Sequence, residues 1–477
     1  MLLSALLSSV NTIQSSYRLF LWSLYGCIFI ISLRFPIKFT HQKTFLLIIF
    51  FSAAFLYIGH IFNTSLFSFL SDSAYQFILP SYGSHNHLGD LAGLGISSLV
   101  LSVSHPFFTA LLLIFGLIIM ALSYSKSAFL GVIVTLTIIA YIKRGKYIFL
   151  YILVLFFSLC IVGIYTRELS GIPLVQSSQK IMKQRFNLNS KPLLSARDYY
   201  FPQVIRAWKS SPVEQLFFGY GSGNYIYPSV KTGVTTDLTP METHNIILSI
   251  FIENGGLACF WFVVFCVSII ILGIKSENES VYLFIFLLAN FQTDWTYTMP
   301  FFMSMLFFFA GQSIHQGGKN VFIKSSLFIQ ALSFVVILSG ISGISHIVVQ
   351  NNKKNLDRQL MVAYENINIT EAERIIRELE LITPYEEKEL VAWSSYEESL
   401  GNIPEAIRFL EKLSIYSPRW YILYLPHQLD LQTRNGVDLK KYLEGREKEF
   451  DAFSLTNDEK DKLNSICDEY ANISCIR

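Results

Sequence analysis

The sequence predicts an all-α protein: a polytopic transmembrane helical bundle of about 10 spans, a long loop on the outer face and a C-terminal helical-repeat domain. Of the 477 residues, 52% are hydrophobic and only 15% are charged, whereas soluble domains are about 25% charged. The apolar residues form runs long enough to span a bilayer, and charged residues become dense only after residue 350. This composition excludes a soluble enzyme, and the net charge of +2 is too small to predict a nucleic-acid partner.

The transmembrane domain is predicted to occupy residues 1–350. A spanning helix needs roughly 17–25 mostly apolar residues. Such runs predict spans near 17–35, 44–62, 88–104, 106–124, 127–142, 147–165, 245–273, 281–297, 299–315 and 321–349.

Two of these runs are unusual. The run at 245–273 is long and contains Gly255 and Gly256, which predicts a kinked or strongly tilted helix. The run at 281–297 is weaker because polar side chains interrupt it; they are Asn290, Gln292 and Asp294.

Positive residues in short loops predict the orientation, because such loops stay in the cytoplasm. Four loops carry them: Arg34, Lys38 and Lys43; Lys143, Arg144 and Lys146; Lys275; and Lys319 with Lys324. Even numbers of predicted spans separate these loops, which places 63–87, 124–126, 166–244 and everything after 350 on the outer face. The N-terminus then falls outside too, and the short apolar segment Met1–Val10 either begins a further span or indicates that the true start lies elsewhere.

Residues 351–477 are predicted to form a separate helical domain. Glu371-Ala372 and Pro384 recur 34 residues later as Glu405-Ala406 and Pro418, and 34 is the length of a tetratricopeptide repeat. The small Ala lets paired helices approach closely, and the Pro ends the second helix. Cys467 and Cys475, near the end of this region, can form a disulfide only if the tail lies in an oxidising compartment.

Polar groups at the outer ends of the predicted spans are the candidate functional residues. His85, His87 and Asp90 lie at one such end, where they cap a helix and line a cavity; two histidines without a third ligand at helical spacing do not predict a metal site. Lys126 lies in the tight turn between two spans. It is either an interfacial lysine whose amine reaches towards water or a cation that faces an anionic lipid headgroup.

The outer loop at 166–244 is too long for a simple connector, and its Lys and Arg residues outnumber its acids. Ser195 opens a predicted helix that carries Arg197 and Trp208. The glycine-rich segment 219–223 is interpreted as a flexible turn, since no Gly-Lys-Ser/Thr follows it. The loop closes on His244, which is either a capping or interfacial residue or a general base.

Four motifs carry a family resemblance. They are Arg197 with Trp208, Gly219-Tyr220-Gly221-Ser222-Gly223, His244-Asn245-Ile246-Ile247-Leu248 and Glu253-Asn254-Gly255-Gly256. In this order and spacing, roughly residues 80–315 resemble the O-antigen ligase/polymerase superfamily of bacterial outer-face glycosyltransferases. The superfamily tends to have Ser-Arg where this chain has Ser125-Lys126; Lys keeps the charge but loses the bidentate fork that suits a diphosphate.

The resemblance implies a glycosyltransferase of the bacterial inner membrane that needs no metal or other cofactor. Its donor is a glycan on a polyprenyl diphosphate held by membrane lipids, and its acceptor is a hydroxyl of lipid A core, of a growing glycan or of a protein. His244 and Arg197 are implied to be catalytic, through activation of the acceptor and stabilisation of the leaving diphosphate. The implied substrate-binding residues are Lys126, Arg206, His87 and Glu253. Residues 351–477 are expected to bind an acceptor or a protein partner.

Two other classes of function remain open. A transporter or flippase for lipid-linked glycans needs charges near the bilayer midplane, and Glu253 and Asp294 are the only residues that fit this pattern clearly. A membrane-anchored scaffold that displays the repeats would need neither so many spans nor a cationic loop.

The implied role of Arg197 predicts that Arg197→Lys impairs transfer more than an Arg→Lys change at the protein surface. The substitution keeps the charge but removes the planar fork. Transfer to the acceptor, compared between the two variants in cells, checks this prediction, and equal activity would contradict it.

Overall fold

The computed structural model describes residues 12–61, 85–101, 106–123, 125–143, 204–205, 208–209, 211–225, 243–294, 296–315, 325–366, 368–383, 387–416, 418–446, 450 and 457–475. Within these residues, all regular elements are helices, as the sequence predicts. The transmembrane region contains α1 Thr12–Arg34, α2 Phe39–Ile61, α3 His85–Leu101, α4 Pro106–Ser123, α5 Lys126–Lys143, α6 Val213–Phe218, α7 Ile246–Lys275, α8 Ser280–Asn290, a 3-10 turn Thr296–Thr298, and α9 Pro300–Ser313. The helices that follow are α10 Ser325–Glu365, α11 Ile369–Ile382, α12 Glu387–Ser399, α13 Ile403–Tyr416, α14 Pro418–Arg434, α15 Leu439–Gly445 and α16 Asn457–Ala471.

By length and apolar character, three helices among the described residues can cross a bilayer: Ile13–Arg34, Ile246–Lys275 and Ser326–Glu365. Shorter apolar helices cover Phe39–Phe55, His87–Leu101, Phe108–Met120, Ser127–Ile142 and Ser280–Asn290. The span predicted at 147–165 lies outside the described residues. The structure therefore supports a helical membrane protein, and the count of about 10 spans stays a prediction.

The span predicted at 281–297 was wrong at its C-terminal end. Helix α8 has 11 residues and ends at Asn290, so it is about 16 Å long and cannot cross about 30 Å of hydrocarbon. A turn and the short 3-10 helix follow it. The polar residues that interrupt the apolar run are bonded at this end of the helix: the fully buried Asn290 donates to Thr296 and the fully buried Asp294 accepts from Ser127 of α5.

Small residues let the helices of the bundle approach closely. The buried ring of Phe286 on α8 lies against Gly93 of α3 and Gly131 of α5, where an added Cβ would come within 2.4 Å and 2.9 Å of ring carbons. Helix association in a bilayer depends on such close packing, because lipid tails are as apolar as the helix surfaces and there is no hydrophobic driving force between helices.

One end of the bundle is closed by a polar cluster around Gln312 on α9. Its amide donates to the carbonyls of Ser32 and Phe35 at 2.7 and 2.9 Å, and Ser280 donates to Gln42 at 2.9 Å. The segments that contain Arg34, Lys38, Lys43 and Lys275 therefore lie at the same end, as expected for two loops on one side of a membrane.

Helix α10 links this bundle to the C-terminal region. It begins near Phe35, whose ring lies 6.2 Å from that of Phe328, and runs antiparallel to α1 until His346 reaches Ser16 at 3.2 Å. It then continues without a break to Glu365, about 28 Å further. The C-terminal helices thus lie on the side of the N-terminal end of α1, and the predicted domain boundary at 350 falls inside this helix.

The C-terminal helices have a hydrophobic core of their own, which begins at Leu356. Helices α11 and α13 start at Ile369 and Ile403, in the register that the sequence predicts, and Ala372 and Ala406 are fully buried. Pro418 follows the end of α13 and begins α14. The helical packing agrees with a repeat, while the tetratricopeptide assignment stays a prediction.

Cys467 and Cys475 form a disulfide with 5.9 Å between their Cα atoms. We expect both thiols to resist alkylation when full-length protein is denatured without a reductant, because disulfides persist in oxidising compartments. Mass spectrometry of the alkylated peptides checks this. Cys475→Ser is the control, since it should make Cys467 reactive; alkylation of both thiols in the unreduced wild type would place the tail in a reducing compartment.

Candidate active site

The centre of the candidate site is a break in helix α7. Asn245 caps the helix, accepting a hydrogen bond from the Leu248 amide at 2.9 Å. The helix is interrupted at Gly255, whose φ of 83° and ψ of 169° are not helical. This confirms the kink that the paired glycines predict.

The glycine-rich segment binds at this break. A helix carbonyl normally accepts from the amide four residues later, and the break at Gly255 frees two carbonyls from that arrangement. The amide of Tyr220 donates to the Ile252 carbonyl at 3.1 Å, and that of Gly221 to the Glu253 carbonyl at 2.8 Å. The interpretation of 219–223 as a flexible turn was therefore wrong, because the broken helix fixes its backbone.

Two glycines make this contact possible. Both Gly219 and Gly255 have positive φ. A Cβ on Gly219 would lie 2.2 Å from the Glu253 carbonyl oxygen, and a Cβ on Gly255 would lie 2.0 Å from the Phe217 carbonyl oxygen. Any other residue at either position would push the turn and the helix apart.

Side chains from two helices complete the attachment of the turn. The Gly223 amide donates to Glu253 Oε2 at 2.8 Å, and the Ser222 hydroxyl donates to Asn254 Oδ1 at 2.5 Å. From α1, Ser15 donates to the Ser222 carbonyl at 3.2 Å. The structure thus places Glu253, predicted to bind substrate, in a buried position where its carboxylate holds the turn.

A cavity of about 30 Å³ lies beside Glu253, which is enough space for one or two water molecules. Its polar lining residues are Arg18, Tyr25, Ser249, Glu253, Asn254 and Tyr297. The charge of Arg18 acts on Glu253, and its guanidinium donates to the Thr298 carbonyl at 3.5 Å. The sequence analysis missed Arg18, although a charged residue inside the first apolar run was the available signal.

His244 lies in a turn held by the segment that joins α8 to α9. The hydroxyls of Thr243 and Tyr297 are 3.2 Å apart. The Asn245 side chain donates to the Gln292 carbonyl at 3.0 Å. His244 itself is half-buried and has a φ of 53°, which is uncommon for a residue other than glycine. Since Asn245 is the helix cap, the capping interpretation of His244 is excluded.

The first turn of α5 reaches the same connecting segment. The hydroxyl of Ser127 donates to Asp294 Oδ2 at 2.6 Å and lies 2.9 Å from that of Ser125. Ser125 packs on Gly89 of α3, where a Cβ would come within 2.4 Å. The described residues of 291–298, the connecting segment, therefore join the first turn of α5 to the turn that contains His244.

The start of α3 is buried against this assembly. His87 is almost fully buried, with its ring 5.6 Å from that of Phe302. Asp90 is fully buried one turn further and feels the charge of Asp294. Asn290 and Thr296 are its other polar neighbours. His87 is thus buried inside the protein next to the candidate site, in the first turn of α3, where the sequence predicts a residue at the start of a helix.

The cationic loop approaches the outer part of α7. Val204 is buried with Tyr220, Tyr225 and Ile252, and the ring of Trp208 lies 5.9 Å from that of Phe251. Arg197, Arg206 and the side chain of Lys126 lie outside the described residues, so the structure does not test their predicted contacts.

Comparison with known proteins identifies one family. The O-antigen ligase family model matches residues 110–263, which confirms the superfamily that the motifs predict. The match contains the positions of Lys126, Arg197, His244 and Glu253 and leaves out α1, α3 and the connecting segment. No curated protein and no solved structure gives a significant match.

Gly255→Ala should detach the glycine-rich turn from α7. The matched control is Gly436→Ala, because Gly436 also has positive φ (76°) but has open space around it. A positive φ costs a non-glycine residue about 1–3 kcal/mol at either position. Gly255, with its ψ of 169°, lies in a backbone region that is essentially restricted to glycine, and the clash there adds about 1–3 kcal/mol. Thermal unfolding of the detergent-solubilised variants measures the difference; equal Tm values would contradict this account of the break.

Proposed function

We propose, from the premise that residues 110–263 carry an O-antigen ligase domain, that this chain is a membrane glycosyltransferase. It transfers a glycan from a polyprenyl diphosphate to an acceptor hydroxyl at the end of the bundle that contains His244. The observation that carries the proposal is the junction at the connecting segment, which brings the first turn of α5, where Lys126 lies, and the turn of His244 to one place.

The environment at this end favours an anion. Helices α3, α5, α7 and α9 all begin there, and the N-terminus of a helix carries a partial positive charge that attracts phosphate groups. Lys126, Arg197 and Arg206 would add full charges. As the diphosphate leaves, its negative charge grows, so these cations stabilise the transition state more than the ground state.

His244 acts on the acceptor in this proposal. Its imidazole accepts the proton of the acceptor hydroxyl while the oxygen attacks the anomeric carbon and the bond to the diphosphate breaks. Direct attack inverts the configuration at that carbon. The hydrogen bonds of Thr243 and Asn245 support this role because they fix the turn on both sides of the imidazole. His87 and Glu253 shape the wall of the site.

We also propose that the site and the C-terminal domain lie on the outer face of a bacterial inner membrane. Helix α10 carries that domain away on the side of the site, and its Cys467–Cys475 disulfide suits an oxidising compartment. The positive residues around Arg34 lie at the opposite end, as the positive-inside rule requires of cytoplasmic loops. There the C-terminal helices would be available to an acceptor or a protein partner.

A transporter of lipid-linked glycans is the second candidate. The observations that favour it are the break in α7 and the fully buried Asp90 and Asp294 in an apolar bundle, since transporters often combine broken helices with buried charges. A transporter moves the lipid-linked glycan intact, whereas a transferase consumes it and leaves free polyprenyl diphosphate.

His244→Ala should abolish transfer and leave membrane insertion intact, because alanine cannot accept the proton of the acceptor hydroxyl. The assay uses purified protein in liposomes that contain a polyprenyl-diphosphate glycan and an acceptor. His41→Ala is the control, since His41 is exposed at the opposite end of the bundle.

The products separate the alternatives. A ladder of glycan lengths indicates a polymerase, and intact chains on lipid A core or protein indicate a ligase or protein transferase. Movement of unconsumed donor across the liposome would indicate transport. Full activity of His244→Ala would remove His244 from the mechanism.

A further inference from the structure

We propose that the half-buried Arg18 is a positioning residue of this site and that it forms an ion pair with the buried carboxylate of Glu253. Arg18 belongs to α1, outside residues 110–263, so the family match assigns it no role. The pair lies beneath the glycine-rich turn and beside the connecting segment 291–298. The inference rests on the proposed function only for its activity readout.

The two charges share one small, mostly enclosed space. Arg18 and Glu253 both line the cavity of about 30 Å³ between α1 and α7, and the Arg18 charge acts on the Glu253 carboxylate. Glu253 is 7% exposed. An isolated carboxylate in such a place is costly, so an opposite charge is required to keep it ionised.

Each member of the pair holds a different part of the site. The Glu253 carboxylate accepts a hydrogen bond from the backbone amide of Gly223 at 2.8 Å and so fixes the glycine-rich turn. Arg18 donates to the carbonyl of Thr298, at the end of the connecting segment. The preceding residue, Tyr297, contacts Thr243. The pair therefore links the glycine-rich turn to the segment that holds His244.

Helix α1 is fitted closely to the turn at this point. A Cβ on Gly223 would lie 2.5 Å from Gln14 Cγ and 3.1 Å from Arg18 Cγ. The hydroxyl of Ser15, on the same turn of the helix as Arg18, accepts a hydrogen bond from the side-chain amide of Asn224 at 3.0 Å. These contacts hold Arg18 next to Glu253. Any side chain at position 223 would push α1 away and disturb this arrangement.

A misplacement of about 1 Å near a reacting group can cost about a hundredfold in rate, so loss of this link should slow the reaction. We expect Arg18→Gln to lower kcat at least about tenfold while KM for the donor changes less than about threefold, as for a group that acts on geometry rather than on substrate binding. The control is Arg34→Gln at the other end of α1, where the guanidinium lies 5.8 Å from the Phe328 ring.

The double variant Arg18→Gln/Glu253→Gln separates a pair from two independent residues. Removing Arg18 alone leaves an uncompensated buried carboxylate, whereas removing both charges does not. The double variant should therefore have a higher Tm and a higher kcat than Arg18→Gln, and Arg18→Lys should retain more activity than Arg18→Gln. Additive effects of the two substitutions would overturn the pairing.

Other outcomes are equally informative. Wild-type kinetics for Arg18→Gln, or a rise in KM with unchanged kcat, would overturn the positioning role. If the wild-type protein transfers no glycan, the proposed function fails, and the pair is judged by Tm in detergent alone. In that case equal Tm values for Arg18→Gln and Arg34→Gln would overturn it, and recovery of Tm in the double variant would support it.

Discussion

The structure of the site depends on one constraint, which is that the carbonyls freed by the break in α7 need new hydrogen-bond donors. A bilayer interior supplies no water for this purpose, so the donors must come from the protein. They come from the amides of Tyr220 and Gly221, and the mutual approach of Gly219 and Gly255 makes the distance short enough. The break and the turn are thus one feature built by two distant parts of the sequence.

The connecting segment 291–298 obeys the same constraint. It is an interruption between two short apolar helices, and its polar groups bond to Ser127 in the first turn of α5 and to Asn245 at the N-terminal cap of α7. Because the start of α5 and the turn before α7 attach to one segment, a few short hydrogen bonds set the distance between them. Preorganised geometry of this kind is what a transfer reaction between two bound substrates requires.

Much of the fold was predictable because it follows from local rules. Apolar runs predicted the helices, paired glycines predicted the kink in α7, and the predicted offset of 34 residues recurs between the starts of two C-terminal helices at Ile369 and Ile403. The end of α8 at Asn290 and the fixed conformation of 219–223 were not predicted correctly. Both depend on partners far away in the chain, which local hydropathy does not reveal.

The same distinction explains the site residues. His244 and Glu253 stood out because motifs surround them, but sequence motifs do not show that Glu253 is turned towards Arg18 and Gly223. Ser15, Arg18 and Asp294 are separated from those motifs by whole helices, and the structural role of each becomes clear only through its partner. The matched domain at 110–263 therefore does not contain the complete site. The hydrogen-bond and charge partners of its polar groups lie on α1, α3 and the connecting segment. A functional protein must therefore include these elements.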